Sequence, residues 1–206
     1  MKHLILAAAL AAAPLASQAA VVLDQQDPVV TGSTAVGFVT TDLAQTFTVG
    51  VTGVFAAVEL NISSFSLSHD PLTVSLRKTA GIVPSTLAAD ILATTTITAA
   101  DANAALTDLI DFSFAGVGVT AGDFLAIVVT PAADQTWELD FDVTNAYADG
   151  RRVSATGGVF GTPSSSDLTF ATYVDAAPGS DVPLPAAAPL MALGLGALGL
   201  AARRRG

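Results

Sequence analysis

Residues 72–77, Leu-Thr-Val-Ser-Leu-Arg, alternate apolar and polar without a break. That period of two sends Leu72, Val74 and Leu76 to the buried face of a strand and leaves Thr73, Ser75 and Arg77 on the other. Similar segments flank it. Ala44 to Val49 reads as a strand with Phe47 and Val49 on one face and Gln45 beside polar neighbours on the other. Gly50-Val51-Thr52-Gly53 reads as a turn, and Val54 to Ser64 as a longer strand with Val58, Leu60 and Ile62 in step. Ile91–Thr98, Leu109–Phe114, Phe124–Thr130, Thr136–Thr144 and Leu168–Val174 complete the set. Asp149-Gly150, between Tyr147 and Arg151-Arg152-Val153, signals a hairpin. Ser64–Pro71, Thr79–Pro84 and Gly157–Asp167 read as loops, and alanine-rich Thr98–Leu106 as a loop with at most a turn of helix. Strands at intervals of about ten residues with so little helix predict an all-β fold, an antiparallel two-sheet sandwich over residues 20–175.

Both ends of the chain read as addresses. Residues 1–19 have the order of a Sec signal peptide: basic Lys2 and His3, an apolar Leu4–Leu15 run, then Ser17-Gln18-Ala19, which predicts cleavage between Ala19 and Ala20. After a short linker, 176–181, residues 182–206 fall into three parts. These are Val182-Pro183-Leu184-Pro185-Ala186, an uncharged apolar run to Ala202, and Arg203, Arg204 and Arg205. The seventeen residues from Ala186 to Ala202 would span about 25 Å as a helix, within the range of a transmembrane segment. The three arginines would stay cytoplasmic and place the body in the periplasm.

This tail resembles the PEP-CTERM sorting signals of Gram-negative bacteria, in their VPLPA wording. The resemblance implies that a membrane-embedded exosortase recognises the tail transiently and removes it, after the Sec translocon and signal peptidase have handled the other end. The mature protein would then reach the cell surface or the medium. Leu184 stands where the name-giving signal has glutamate. Read from the residues alone, the same tail also describes a plain anchor that is never cut. The body is similar to a jelly-roll domain common in bacterial surface proteins. The segments that carry the likeness are AQTFTVGVTG, LTVSLRKTAGIVPS, LATTTITAAD, FSFAGVGVTAGDFLAIVV and LTFATYV, between Ala44 and Val174. That resemblance implies kinship with carbohydrate-binding sandwiches but supplies no catalytic motif.

Composition narrows the chemistry. The formal charge is −10, and the basic residues between the two addresses are only Arg77, Lys78, Arg151 and Arg152, against all eighteen acids, a net −14 there. No basic footprint exists for a nucleic acid. There is no cysteine, which removes disulfides, thiol chemistry and Cys-ligated zinc. His69, outside the signal segment, is the one imidazole, and His69-Asp70-Pro71 reads as a turn rather than part of a triad. Glu138, Asp140 and Asp142, at spacing two, predict a row of carboxylates on one strand face, either a solvated face or a calcium site. Trp137 and Tyr173 are expected in the core, whereas Tyr147, beside the Asp149-Gly150 turn, is expected to be exposed and to offer a platform for a sugar ring. Asn61-Ile62-Ser63 matches a glycosylation sequon without a context that uses it. The expectation is a non-enzymatic protein of the envelope or extracellular matrix, with exopolysaccharide as a partner and calcium as the only candidate cofactor. A carbohydrate-binding module is the alternative, and a glycan hydrolase a third reading.

Overall fold

A computed structural model describes residues 20–36, 42–64, 71–97, 109–132 and 137–176. They form β1 (Val21–Asp27), β2 (Gly32–Val36), β3 (Asp42–Thr48), β4 (Gly53–Ser64), β5 (Leu72–Ala80), β6 (Val83–Pro84) and β7 (Ile91–Ile97). Then follow β8 (Leu109–Val119), β9 (Phe124–Pro131), β10 (Trp137–Asp142), β11 (Arg152–Thr156), β12 (Val159–Phe160), β13 (Asp167–Leu168) and β14 (Phe170–Ala176). The helical content of the described residues is one 3₁₀ turn, Ala88–Asp90. The predicted signal peptide, the Thr98–Leu106 stretch, His69 and the sorting tail lie outside the described residues. Among those residues, no helix is long and apolar enough to cross a membrane.

Every strand pairing is antiparallel, in two sheets. The first runs β1-β14-β4-β10-β13, with β8 on β4 and β2 on β10; the second runs β12-β11-β3-β9-β5-β6, with β7 on β5. Leu72, Val74 and Leu76 point inward as their alternation requires, each fully buried beside Phe47, Phe55, Val58, Leu60, Phe112, Ile127, Trp137 and Phe170. Phe55 links the rings at this centre, 5.9 Å from Phe47 and edge-on to Phe114 at 5.5 Å. Aromatic pairs so arranged add to the burial of apolar area that holds the sheets together. A smaller apolar cluster, Ala44, Ala126, Val128 and Val153, packs against Val83 and Phe160.

Three expectations change. Gln45 does not face polar neighbours: period two puts it on the face of Leu43 and Phe47, and it is fully buried. Its amide Nε2 donates to Asp167 Oδ1 at 2.9 Å and to the Thr46 carbonyl at 3.1 Å, while its Oε1 accepts from the Leu168 N–H at 2.8 Å. Asp149-Gly150 does not close a hairpin, because β10 belongs to the first sheet and β11, paired with β3, to the second. Glycine is needed there for close approach: a Cβ at Gly150 would lie 1.8 Å from the Thr46 carbonyl oxygen. Thr79–Pro84, expected as a loop, is a hairpin between β5 and β6, turned by Gly81 at φ 70°. β1 and β2, with no expected counterpart, add two strands to the first sheet.

Replacing Gln45 with leucine would strand the buried Leu168 N–H and one oxygen of Asp167. The expected loss is about 2–4 kcal/mol, a melting temperature lower by roughly 5–15 °C. Thermal denaturation followed by circular dichroism checks it, and an unchanged midpoint would show that the amide is not a clasp.

Candidate functional site

The predicted carboxylate row does not assemble. In β10, Trp137 and Leu139 are buried and Glu138 and Asp140 are half-buried, as expected from their alternation. Asp142 departs from it, being fully buried and turned back on its own chain. Its carboxylate accepts from the Thr144 N–H at 2.8 Å, the Thr144 hydroxyl and the Ala146 N–H at 3.2 Å. The Thr144 hydroxyl is the leading reason that Asp142 is held below the usual carboxylate pKa. Glu138 accepts from the Ser33 hydroxyl on β2. Burial, then the charge of Glu138, pushes Asp140 up. Among the described residues, no group of three His, Cys, Asp or Glu is placed to hold a metal ion. Glu138 and Asp142 thus engage their carboxylates in separate hydrogen bonds, and the three do not converge on one point among the described residues.

Tyr147 is likewise not an exposed platform. It is 7% exposed, edge-on to Phe170 with ring centres 5.2 Å apart, and its hydroxyl accepts from the Thr48 N–H at 3.1 Å. Because the chain crosses between sheets here instead of turning in a hairpin, the ring falls inward. Burial raises its phenol pKa.

Near this crossover lies a concentration of buried charge. Asp27 and Asp167 are both within 1% of full burial, and each has one carboxylate oxygen, Oδ2, without a hydrogen-bond partner. Burial is the main reason both are raised above the usual carboxylate pKa, with the charge of Asp142 adding to each. Arg152 stacks on Phe141, its guanidinium carbon 4.3 Å from the ring centre; burial lowers its pKa, and the charge of Asp167 offsets part of that.

A different face carries the groups best suited to a ligand. Pairing aligns Gln26, Ala171, Glu59 and Asp111 in a row across β1, β14, β4 and β8. The adjacent row on that face is Leu23, Tyr173, Ala57 and Ser113. Phe170, Thr172 and Val174 point inward, so Tyr173 stands outward and half-exposed, against the expectation that it packs in the core. Its hydroxyl donates to Glu59 Oε2 at 2.9 Å, a bond that is the leading cause of its raised pKa. Asp111, raised by burial and by Glu59, extends the acidic row. Beside this pair a cleft of about 330 Å³ opens, with Gln26, Glu59, Asn61, Ala171 and Tyr173 in its walls. The one available sequence signal for Tyr173 was the inward parity of its neighbours; nothing marked Glu59 or Gln26, and Asn61 was noted only as part of a glycosylation sequon.

Together these observations define a β-sandwich followed by a C-terminal sorting address. Residues 181–205 match the family model described as the PEP-CTERM protein-sorting motif, and the chain therefore carries that motif. No curated protein matches the chain. Among solved structures, the cysteine protease and lectin-like domains of Cwp84, a surface layer associated protein of Clostridium difficile, align at 9% identity with a TM-score of 0.51. That alignment covers 76% of this chain and 36% of the other. Clostridial Cwp84 after propeptide cleavage aligns at 9% identity and a TM-score of 0.52, over 76% of this chain and 40% of that one. The chain thus spans about two fifths or less of those structures, and at such identity the likeness concerns the fold.

Desolvated carboxylates, some buried and some nearer the surface, set the pH response. Asp24, Asp27, Asp111, Asp140 and Asp167 are all raised above 3.8, so each is stabilising in its protonated form and loses that contribution as pH rises through its folded pKa. Asp142 is lowered, so its contribution is present above 3.8 and lost as pH falls through its folded value. The melting temperature should rise as the pH falls from 7 toward 3.8, and turn over below it. In an Asp27→Asn, Asp167→Asn double variant the rise should flatten; a parental slope in that variant would assign the effect to general charge repulsion instead.

Proposed function

We propose that this protein is an exported, non-enzymatic component of the envelope or extracellular matrix. It is held in the inner membrane by its sorting signal with the body in the periplasm, then freed by an exosortase. The observation that carries the reading is the sequence-matched motif at 181–205, which begins five residues beyond the end of the last strand at Ala176. Pro183 and Pro185 disfavour helix at and before themselves, which would favour an extended segment at Val182–Ala186, the form a protease can thread. Gly194, Gly196 and Gly199 give the following apolar run small-residue positions where another helix packs closely. Arg203, Arg204 and Arg205 fix its orientation.

The chemistry of the body supports a structural or adhesive role. The chain has no cysteine, the hydrogen bonds of Asp142 are local, and the core carboxylates surround an amide clasp rather than an open site. An acidic surface suits a protein that must remain soluble after release.

Intact mass of protein purified from its own host tests the reading. The mature species should begin at Ala20 and lack Ala187–Gly206, with the cut between Val182 and Ala186. In a host without an exosortase the tail should be retained in the membrane fraction. A host-purified species still ending in Arg205-Gly206 would make the tail an ordinary anchor.

A further inference from the structure

The cleft beside Tyr173 goes beyond sorting, because it lies on the outer face of the first sheet and is built from β1, β4 and β14. We propose that it binds a saccharide chain that carries no acidic groups. Tyr173 is in register with Ala57, yet its hydroxyl reaches Glu59, two residues further along β4 on the same face. The side chain therefore leans along the sheet toward the row in which Ala171 pairs with Glu59. Small residues in both rows leave room for a flat ligand against the ring. Ala57 is the Tyr173 partner, and Ala171 is in the cleft wall.

The polar groups around that ring match a polyol. Gln26 and Asn61 each supply an amide with both donors and an acceptor, and Glu59 supplies acceptors to hydroxyls. An aromatic face combined with a few convergent amides and carboxylates is the composition of a sugar subsite, where the ring covers C–H groups and the polar atoms read hydroxyls. A cleft open along a sheet face admits a polymer and not only a chain end. Charge sets the restriction: Glu59 and its cross-strand partner Asp111 leave this face acidic, and none of the residues in the cleft wall is basic. Uronate, sulfate or phosphate groups would be repelled, whereas neutral hexoses and free hexosamines would not.

The test uses the full chain in detergent micelles, titrated calorimetrically with dextran, a glucosamine hexamer and alginate. Binding to dextran or to the glucosamine hexamer is expected, the two arms separating a neutral from an amino sugar, with none to alginate. Tyr173→Ala should weaken binding about tenfold or more, while Tyr173→Phe, which keeps the ring, should stay within about threefold. Asn61→Ala, which leaves the tyrosine and its hydrogen bond in place, should also weaken binding, and it carries the test where Tyr173→Ala does not melt cooperatively. Binding to neither sugar, equal binding to alginate, or affinity unchanged in the variants that fold would each overturn the proposal. None of these results bears on tail removal, which is read separately by mass.

Discussion

The amide of Gln45 ties the two sheets, already packed on a shared apolar core, at the point where the chain passes between them. Apolar contact is non-directional and lets sheets slide, whereas a buried amide with three bonds admits one register. Nε2 holds Asp167, Oε1 holds the Leu168 N–H, and the short strand that contains both lies beside β10 of the opposite sheet. The crossover at 143–151 then has a fixed start and finish, and Gly150 lies against Thr46, the next residue after Gln45. The inward fall of Tyr147, the return of Asp142 on its own loop and the burial of Asp27 all sit around this clasp.

Its cost is visible in the carboxylates. Desolvation penalises a charged group most when a lone pair lacks a donor, and Asp27 and Asp167 each keep one oxygen in that condition. The Arg152 guanidinium, stacked on Phe141, answers part of that charge through space. Such an arrangement trades stability at neutral pH for a single way of joining the layers. The chain has no cysteine and so no disulfide to set the register, a part the buried clasp takes instead.

The strand pattern was legible where one face is buried and the other wet: 72–77 reads as a strand from its alternation alone, and so do the segments around Phe47 and Leu60. Parity errors account for much of what was not. Counting by two from Phe47 puts Gln45 inside, but its polarity argued the other way. The inward positions of Phe170, Thr172 and Val174 free Tyr173 to point out, although an aromatic in a strand reads as core. Asp149-Gly150 has the composition of a hairpin, and only the strand pairing reveals that its flanks part to different sheets. The cleft was not legible, because Gln26, Glu59 and Tyr173 come from three strands that meet through pairings distant in sequence. The sorting tail, by contrast, is a linear signal read by a protease and a membrane, and so sequence order was enough.

The place of β14 has a temporal side. It lies between β1 and β4, the Ala176 N–H donates to the Ala20 carbonyl at 3.1 Å, and β14 is the sole pairing partner of β1 among the described strands. A chain crossing a membrane from its N-terminus delivers β1 first and β14 last. Until residues 170–176 arrive, the opening strand has nothing to pair with and one edge of β4 stays open, a state exposed to proteolysis and to pairing with other chains. In such a chain, closure of the first sheet would come only when the residues next to the sorting motif have crossed. Any fragment ending upstream of Phe170 lacks the strand that joins β1 to β4 and leaves that seam open.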